Sequence, residues 1–230
     1  MKNLIGFAIC TCAWAQQLGQ PHLGKMLDQN GAVRTVYGIA ASVSVGAAET
    51  TGVLSSACAT FCLAKTETSI VSASGSVEAP PGPALFAFDG NTAFVWFPRS
   101  RQFAEWVNSS LQWVPQNSVP DGEVLSIGVN AGVVQFAVRR RSGIWIVNRD
   151  GGVASSLPGA VGPVMLIPGG VVYATESEIV IRSVHVSLAS VTAFSQMSGS
   201  YLQVRAGGVD YSLRIDPGHE TLFQLPGVSQ

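Results

Sequence analysis

The chain has 230 residues, of which 47% are hydrophobic and 12% charged, and its formal net charge is −1. Disordered chains are rich in charge and poor in apolar residues, so this composition predicts a folded globular protein. The chain lacks the excess of basic residues that phosphate backbones require, which argues against nucleic-acid binding. Its 25 glycines and 12 prolines are spread along the chain, a distribution typical of many turns and few helices.

Residues 1–15 have the layout of a secretory signal peptide. Lys2 supplies the positive charge, Leu4 to Ala13 form a short apolar core, and Ala13-Trp14-Ala15 fits the small-x-small cleavage pattern. A membrane anchor needs about 20 apolar residues, and this core has only about 10. We therefore expect cleavage before Gln16 and a secreted or periplasmic mature chain without an integral membrane segment.

Residues 16–31 are polar with scattered apolar positions, and we expect a flexible leader there. The turn signal Asn30-Gly31 ends this stretch, and the β-rich run from Ala32 to Ile39 follows it. The pattern predicts a single β-domain over residues 32–230.

Repeated strand-turn-strand units follow the β-rich run. In Ala84 to Pro98, aromatic residues occupy both arms and Asp89-Gly90-Asn91 supplies a tight turn. Units that begin at Ala84, Val124 and Val164 are spaced 40 residues apart. Such a period, with several short strands in each unit, is typical of a propeller blade.

The units predict an all-β propeller of about five four-stranded blades, with a β-sandwich as the alternative fold. The five units begin near Gly52, Ala84, Val124, Val164 and Ser200. The last unit shows only three strands, between Tyr201 and Leu225. We expect Val33 to Tyr37 to supply its fourth strand and close the ring, because this pairing removes an exposed strand edge.

The segment from Asp28 to Gly46, and in particular Asn30-Gly31-Ala32-Val33-Arg34-Thr35-Val36-Tyr37-Gly38-Ile39, resembles a group of uncharacterised secreted bacterial proteins known from acidobacteria. These proteins combine a signal peptide with propeller-like repeats. The resemblance implies the same fold and compartment, and it implies no established activity.

Cys58 and Cys62 are the two cysteines that remain after the expected cleavage. Alignment of this unit with Ala84–Ala93 places Cys58 on a turn and Cys62 on the returning strand. Across such a hairpin the two α-carbons come within bridging distance, and an exported compartment permits oxidation. A disulfide is therefore predicted, and the alternative is a pair of small buried hydrophobic residues.

The sequence contains no motif that assigns a catalytic, metal-binding or cofactor-binding residue. His22, His185 and His219 are not spaced as metal ligands. Serine is plentiful, but no Gly-x-Ser-x-Gly elbow occurs. The charge run Arg139-Arg140-Arg141 is predicted to be a solvated hairpin turn, with an anion or acidic-polysaccharide contact as the alternative.

Four tryptophans raise the alternative of a carbohydrate-stacking surface. Trp96 and Trp145 lie among apolar strand residues and are predicted to be in the core. Trp106 and Trp113 flank Asn108-Ser109-Ser110 and are predicted to be partly exposed. The function that follows is an exported, non-catalytic binding or scaffold module for a protein or glycan ligand. The alternative is a secreted polysaccharide hydrolase or lyase with its site at the mouth of the propeller channel.

Overall fold

The computed structural model describes residues 20–39, 42–115 and 120–227, and within these ranges the chain is entirely strands and turns. The expected signal peptide lies outside the described residues. The first sheet contains three strands, β1 (His22–Leu27), β2 (Val33–Ile39) and β3 (Ser42–Thr50).

Five further sheets each contain four antiparallel strands in chain order. They are β4 (Ser55–Cys58), β5 (Cys62–Lys65), β6 (Ser69–Ser72) and β7 (Gly75–Glu78); β8 (Leu85–Asp89), β9 (Thr92–Phe97), β10 (Gln102–Val107) and β11 (Ser110–Trp113); β12 (Glu123–Asn130), β13 (Val133–Arg140), β14 (Gly143–Asn148) and β15 (Val153–Leu157); β16 (Val164–Ile167), β17 (Gly170–Ala174), β18 (Glu178–Ile181) and β19 (Val184–Ser187); β20 (Val191–Gln196), β21 (Tyr201–Ala206), β22 (Val209–Arg214) and β23 (Thr221–Gln224).

The six sheets form a ring, which we number as blades 1 to 6 in chain order. The first strand of each blade is innermost and contacts the first strands of the neighbouring blades, including β1 against β20. The predicted all-β propeller is therefore confirmed, with six blades rather than five. The count was low because blade 1 begins inside residues 16–31, the stretch that we expected to be a leader.

The leader prediction fails for His22–Leu27 because this short segment carries two residues of the core. Leu23 and Met26 are buried against Met197 and Leu225 of blade 6. The burial of these side chains holds β1 in the ring, although its sequence is polar on average.

The prediction that Val33 to Tyr37 completes the last blade is wrong. Strand β2 pairs with β1 and β3, and blade 6 has its own innermost strand, β20. Strand β20 begins at Val191, ahead of the predicted start of the last unit near Ser200. The apolar and polar residues of β20 do not alternate clearly, so the sequence predicted the boundary between blades 5 and 6 at the wrong position.

Six hydrophobic clusters hold the blades together, one at each junction. The cluster between blades 3 and 4 is built from large side chains, including Trp96, Phe103 and Phe136. The cluster between blades 1 and 2 is the smallest, with only Val33, Val53 and Ala64 as its buried members. Packing between blades is therefore uneven around the ring.

Candidate functional site

The central channel of the ring is narrow and mostly apolar. Its cavity of about 240 Å³ is lined mainly by residues on or next to the innermost strands of all six blades, among them Leu27, Leu54, Phe86, Leu125, Leu166 and Phe194. Of the described residues that line it, Arg205 is the only charged one. Its guanidinium donates to Asp210 Oδ1 at 2.9 Å and to the Leu27 carbonyl at 2.9 Å, so it is engaged in structural bonds.

The serine side chains of the channel also connect neighbouring blades. Ser55 Oγ donates to the carbonyl oxygen of Ala84 at 2.8 Å and accepts from its amide at 3.0 Å. Ser126 Oγ accepts from the Leu166 amide at 3.0 Å. These bonds satisfy polar groups between sheets. The channel mouth, where an enzyme site was the alternative, has no paired carboxylates among the described lining residues.

A larger opening lies where blades 1, 2 and 3 meet, and we call it the inter-blade groove. Its volume is about 830 Å³. It is lined by Lys25, Val33, Glu49, Thr50, Thr60, Phe61, Cys62, Ala64, Val71, Ser72, Ala73, Ser74, Asn91, Trp106, Asn108 and Ser109. Seven of these residues lie in the turns between strands, and the other nine lie in the strands themselves.

Weak packing between blades 1 and 2 explains why a groove opens at this position. The backbones of the two blades approach closely at the inner end, where the Val53 amide donates to the Gly31 carbonyl at 2.9 Å. Farther out, the small side chain of Ala64 takes part in the junction cluster. Small residues leave the volume between two diverging sheets unfilled, so the groove follows from the sequence of this junction.

Polar side chains at the turns form the rim of the groove and hold it in place. Thr60 Oγ1 donates to the Gly90 carbonyl at 2.7 Å, and the hydroxyls of Ser74 and Ser109 lie 2.6 Å apart. Both contacts join blade 2 to blade 3. Asn108 and Ser109 have φ angles of 50° and 60°, the left-handed conformation that asparagine adopts more readily than most residues.

Two exposed amides at the rim are available to a ligand. Asn91 and Asn108 are both exposed, and within the described part of the chain neither side chain takes part in a hydrogen bond. An amide side chain offers two donors and one acceptor group. Together with the rim hydroxyls, these groups can donate to and accept from a polar uncharged molecule.

The two charged residues of the groove neutralise each other. The Lys25 ammonium forms an ion pair with Glu49, whose carboxylate also accepts from the Thr35 hydroxyl. Partial burial of Glu49 acts to raise the pKa of its carboxyl. The hydrogen bonds from Lys25 and Thr35 outweigh this effect, and the pKa lies below its usual value. The groove therefore carries no net charge at neutral pH.

The aromatic residues of the groove have different roles. Trp106 is only 4% exposed and belongs to the core cluster between blades 2 and 3, so its predicted partial exposure is wrong. Phe61 is half-buried and packs edge-on against Phe88, with ring centroids 5.1 Å apart. Trp96 is buried and Trp113 is 51% exposed, as predicted, while Trp145 is half-buried.

Cys58 and Cys62 lie next to Phe61 at the wall of the groove. They end β4 and begin β5, and they face each other directly in the register of this pair. Their α-carbons are 4.1 Å apart and a disulfide joins them. Cys58 belongs to a strand rather than to the turn, which consists of Ala59, Thr60 and Phe61.

The arginine run and His185 do not line the groove. Arg139-Arg140-Arg141 spans the end of β13 and the turn after it, and Arg139 pairs with Glu123 at 3.1 Å. His185 lies 2.8 Å from Glu178 on the neighbouring strand. Among the described residues, no group of three or more histidines, cysteines or acids is placed to hold a metal ion.

Sequence reasoning missed the groove because its lining comes from three blades. The one local signal of the groove was the polar segment Asn108-Ser109-Ser110 between two tryptophans.

No helix of the described residues is both long enough and apolar enough to cross a membrane.

Comparisons with known proteins give distant structural likenesses. No protein-family model and no curated protein sequence matches the chain. Apo AztD from Citrobacter koseri is similar over 89% of this chain and 71% of its own, at 12% identity and a TM-score of 0.44. The extracellular domain of a hybrid two-component system from B. thetaiotaomicron is similar over 93% of this chain, at 11% identity and a TM-score of 0.41. This chain spans about a third of that protein's length, at 34%.

Proposed function

We propose that the chain is an exported, non-catalytic binding module whose ligand occupies the inter-blade groove. The observation that carries the proposal is the groove itself, about 830 Å³ in volume and rimmed by polar side chains. Cavities of this size are large enough to bury most of a small ligand. The charged groups in the groove and in the channel are engaged in ion pairs and hydrogen bonds, which favours binding over acid–base catalysis.

Three features support export to the periplasm or the medium. Residues 1–15 have the pattern of a signal peptide. Disulfides such as that between Cys58 and Cys62 persist in oxidising compartments. The segment Asp28 to Gly46 resembles secreted bacterial proteins of the acidobacterial type. Export is tested by sequencing the amino terminus of protein recovered outside the cytoplasm, which should begin at or near Gln16. Recovery of intact Met1 from the cytoplasm alone contradicts export.

Binding in the groove is tested with a variant that fills it. Ala73 is an exposed groove residue in the turn between the third and fourth strands of blade 2. An Ala73→Trp side chain should occupy the opening. Ser183→Trp, in the corresponding turn of blade 5, adds the same bulk outside the groove and serves as the control.

The readout is the thermal unfolding midpoint with a panel of neutral oligosaccharides, acidic oligosaccharides and short peptides. A ligand that binds the folded state raises this midpoint by mass action. We expect at least one class to raise it for the unmodified chain and for Ser183→Trp, and not for Ala73→Trp. No response to any class, or an equal response in both variants, contradicts a binding site in the groove. Release of reducing or unsaturated ends from the oligosaccharides contradicts a non-catalytic role.

A further inference from the structure

We infer that the inter-blade groove binds an uncharged glycan, an inference that rests on the proposed function and names the class of ligand. The exposed rim offers the amides of Asn91 and Asn108 and the hydroxyls of Thr60, Ser74 and Ser109. Sugars present many hydroxyl groups that both donate and accept. The two amides can serve both roles in return, and the three hydroxyl oxygens, which already take part in bonds of the rim, can still accept.

The ion pair in the groove disfavours small ligands that carry a charge. Lys25 is held by Glu49, so an anionic sugar or a phosphate would compete with a carboxylate that is already in place. The Glu49 carboxylate accepts from both Lys25 and Thr35, so a cationic ligand would have to displace the same bonds. An uncharged ligand leaves this network intact and needs no counter-charge.

The apolar part of the groove suits the C–H face of a sugar ring. Phe61 is half-buried between the polar rim and the core, and its ring is held edge-on by Phe88. Val71 and Ala64 extend the apolar wall beside it. An apolar wall beside a polar rim matches a pyranose, which is apolar across its ring face and polar at its edge.

A peptide fits the groove less well than a glycan. Extended peptides are usually bound by pairing with a free strand edge. The edge strand of blade 1, β3, contributes Glu49 and Thr50 to the groove. Its register with β2 shifts twice, between Val33 and Arg34 and between Arg34 and Val36. Register shifts of this kind bend an edge strand and interrupt the regular array of groups that a peptide would need.

The experiment measures affinities of cellohexaose, xylohexaose and maltohexaose by calorimetry, beside a tri-galacturonate and a neutral hexapeptide. Asn108→Gly removes the amide and keeps the backbone, because glycine adopts the positive φ of this position without strain. The loss of about one or two hydrogen bonds should lower the affinity for the hexaose about fivefold to tenfold. Asn91→Ala should have a similar effect.

Trp113→Ala is the matched control, because Trp113 is an exposed aromatic residue of the same blade that does not line the groove. We expect this variant to bind the hexaose like the unmodified chain. Loss of binding in Trp113→Ala with full binding in Asn108→Gly would place the glycan on the tryptophan surface and overturn the inference.

A charge variant tests the ligand class directly. Glu49→Gln leaves Lys25 without its carboxylate, so this variant should gain measurable affinity for tri-galacturonate and keep its affinity for the neutral hexaose. If the hexapeptide binds the unmodified chain and no hexaose does, the glycan inference falls while a binding site in the groove stands. If tri-galacturonate binds the unmodified chain more tightly than any hexaose, the inference of an uncharged ligand is also overturned.

Discussion

Gln203 on β21 binds both backbone groups of Leu27 on β1. Its Nε2 donates to the Leu27 carbonyl at 2.8 Å, and its Oε1 accepts from the Leu27 amide at 2.9 Å. One side-chain amide thus makes the two bonds that a neighbouring strand would otherwise make. It joins blade 6 to blade 1 across 176 residues of sequence, which closes the ring without exchange of a strand between blades.

Replacement of Gln203 should weaken the contact between blades 6 and 1. Gln203→Ala leaves the Leu27 amide without its acceptor, while the Leu27 carbonyl keeps the bond from Arg205. Gln203 is only 3% exposed, so this unpaired amide is buried. Unpaired buried polar groups are costly, so we expect the free energy of unfolding to fall by about 2 to 4 kcal/mol in urea denaturation. Gln135→Ala is the control, because Gln135 bonds to Asn148 within a single blade. Equal losses in the two variants would show that the bond to Leu27 has no special weight.

Gly24 is a second residue on which the closure depends. Its φ is 134°, and a Cβ at this position would lie 2.1 Å from the carbonyl oxygen of Met197 in blade 6. Gly24→Ala should therefore force β1 away from blade 6 and lower the free energy of unfolding by about 2 to 4 kcal/mol.

Gly90→Ala is the control that distinguishes the steric clash expected in Gly24→Ala from the cost of a positive φ alone. Gly90 has a φ of 58° and open space where its Cβ would stand, so its substitution carries only the conformational cost of about 1 to 2 kcal/mol. Thermal unfolding of both variants makes the comparison. A Gly24→Ala chain as stable as the Gly90→Ala chain would contradict the close approach of the two blades.

The sequence predicted the strands of the middle blades well because each is a local hairpin with its own turn signal. Asp89-Gly90-Asn91 marks a turn by its residue types alone, and β8 and β9 lie on either side of it as this signal predicts. The first and last blades were predicted less well, because Leu23, Met26 and Val191 join the core through contacts with residues distant in sequence. Local patterns carry no information about such partners.

The groove was not predicted for a related reason. The groove opens at the junction with the fewest buried apolar residues, Val33, Val53 and Ala64. Side-chain volumes at a junction cannot be compared before it is known which blades are neighbours. The burial of Trp106 likewise depends on Leu63 and Ile70 of the neighbouring blade.

Acid should weaken the turn between β1 and β2 through Asp28. Burial acts to raise the pKa of this carboxyl, but hydrogen bonds from Arg34 and from the amides of Ala32 and Asn30 outweigh it, and the pKa lies below its ordinary value of 3.8. The unfolded chain therefore binds the proton more readily than the folded chain. The stabilisation by Asp28 is complete above the unfolded pKa and is lost as the pH falls through the folded one.

Urea denaturation between about pH 6 and about pH 2.5 measures this dependence. Asp28→Asn should lower stability near neutral pH and flatten the loss of stability on acidification. Asp89→Asn, at an exposed turn, is the control and should follow the unmodified chain. A loss of stability with the same slope in Asp28→Asn as in the unmodified chain would show that Asp28 does not contribute to acid sensitivity.

The bridge between Cys58 and Cys62 should be present in the exported protein and should stabilise it modestly. It closes a very short loop, with a sequence separation of 4. In the chain-entropy account such a loop contributes about 2 kcal/mol. The double variant Cys58→Ala/Cys62→Ala should unfold at lower urea by about that amount. The unmodified chain in reducing agent is the control, and it should behave like the double variant. Alkylation of denatured protein without reductant, followed by mass spectrometry, should find no free thiol at either position. Two alkylated cysteines would mean that the pair packs as small hydrophobic residues beside Phe61.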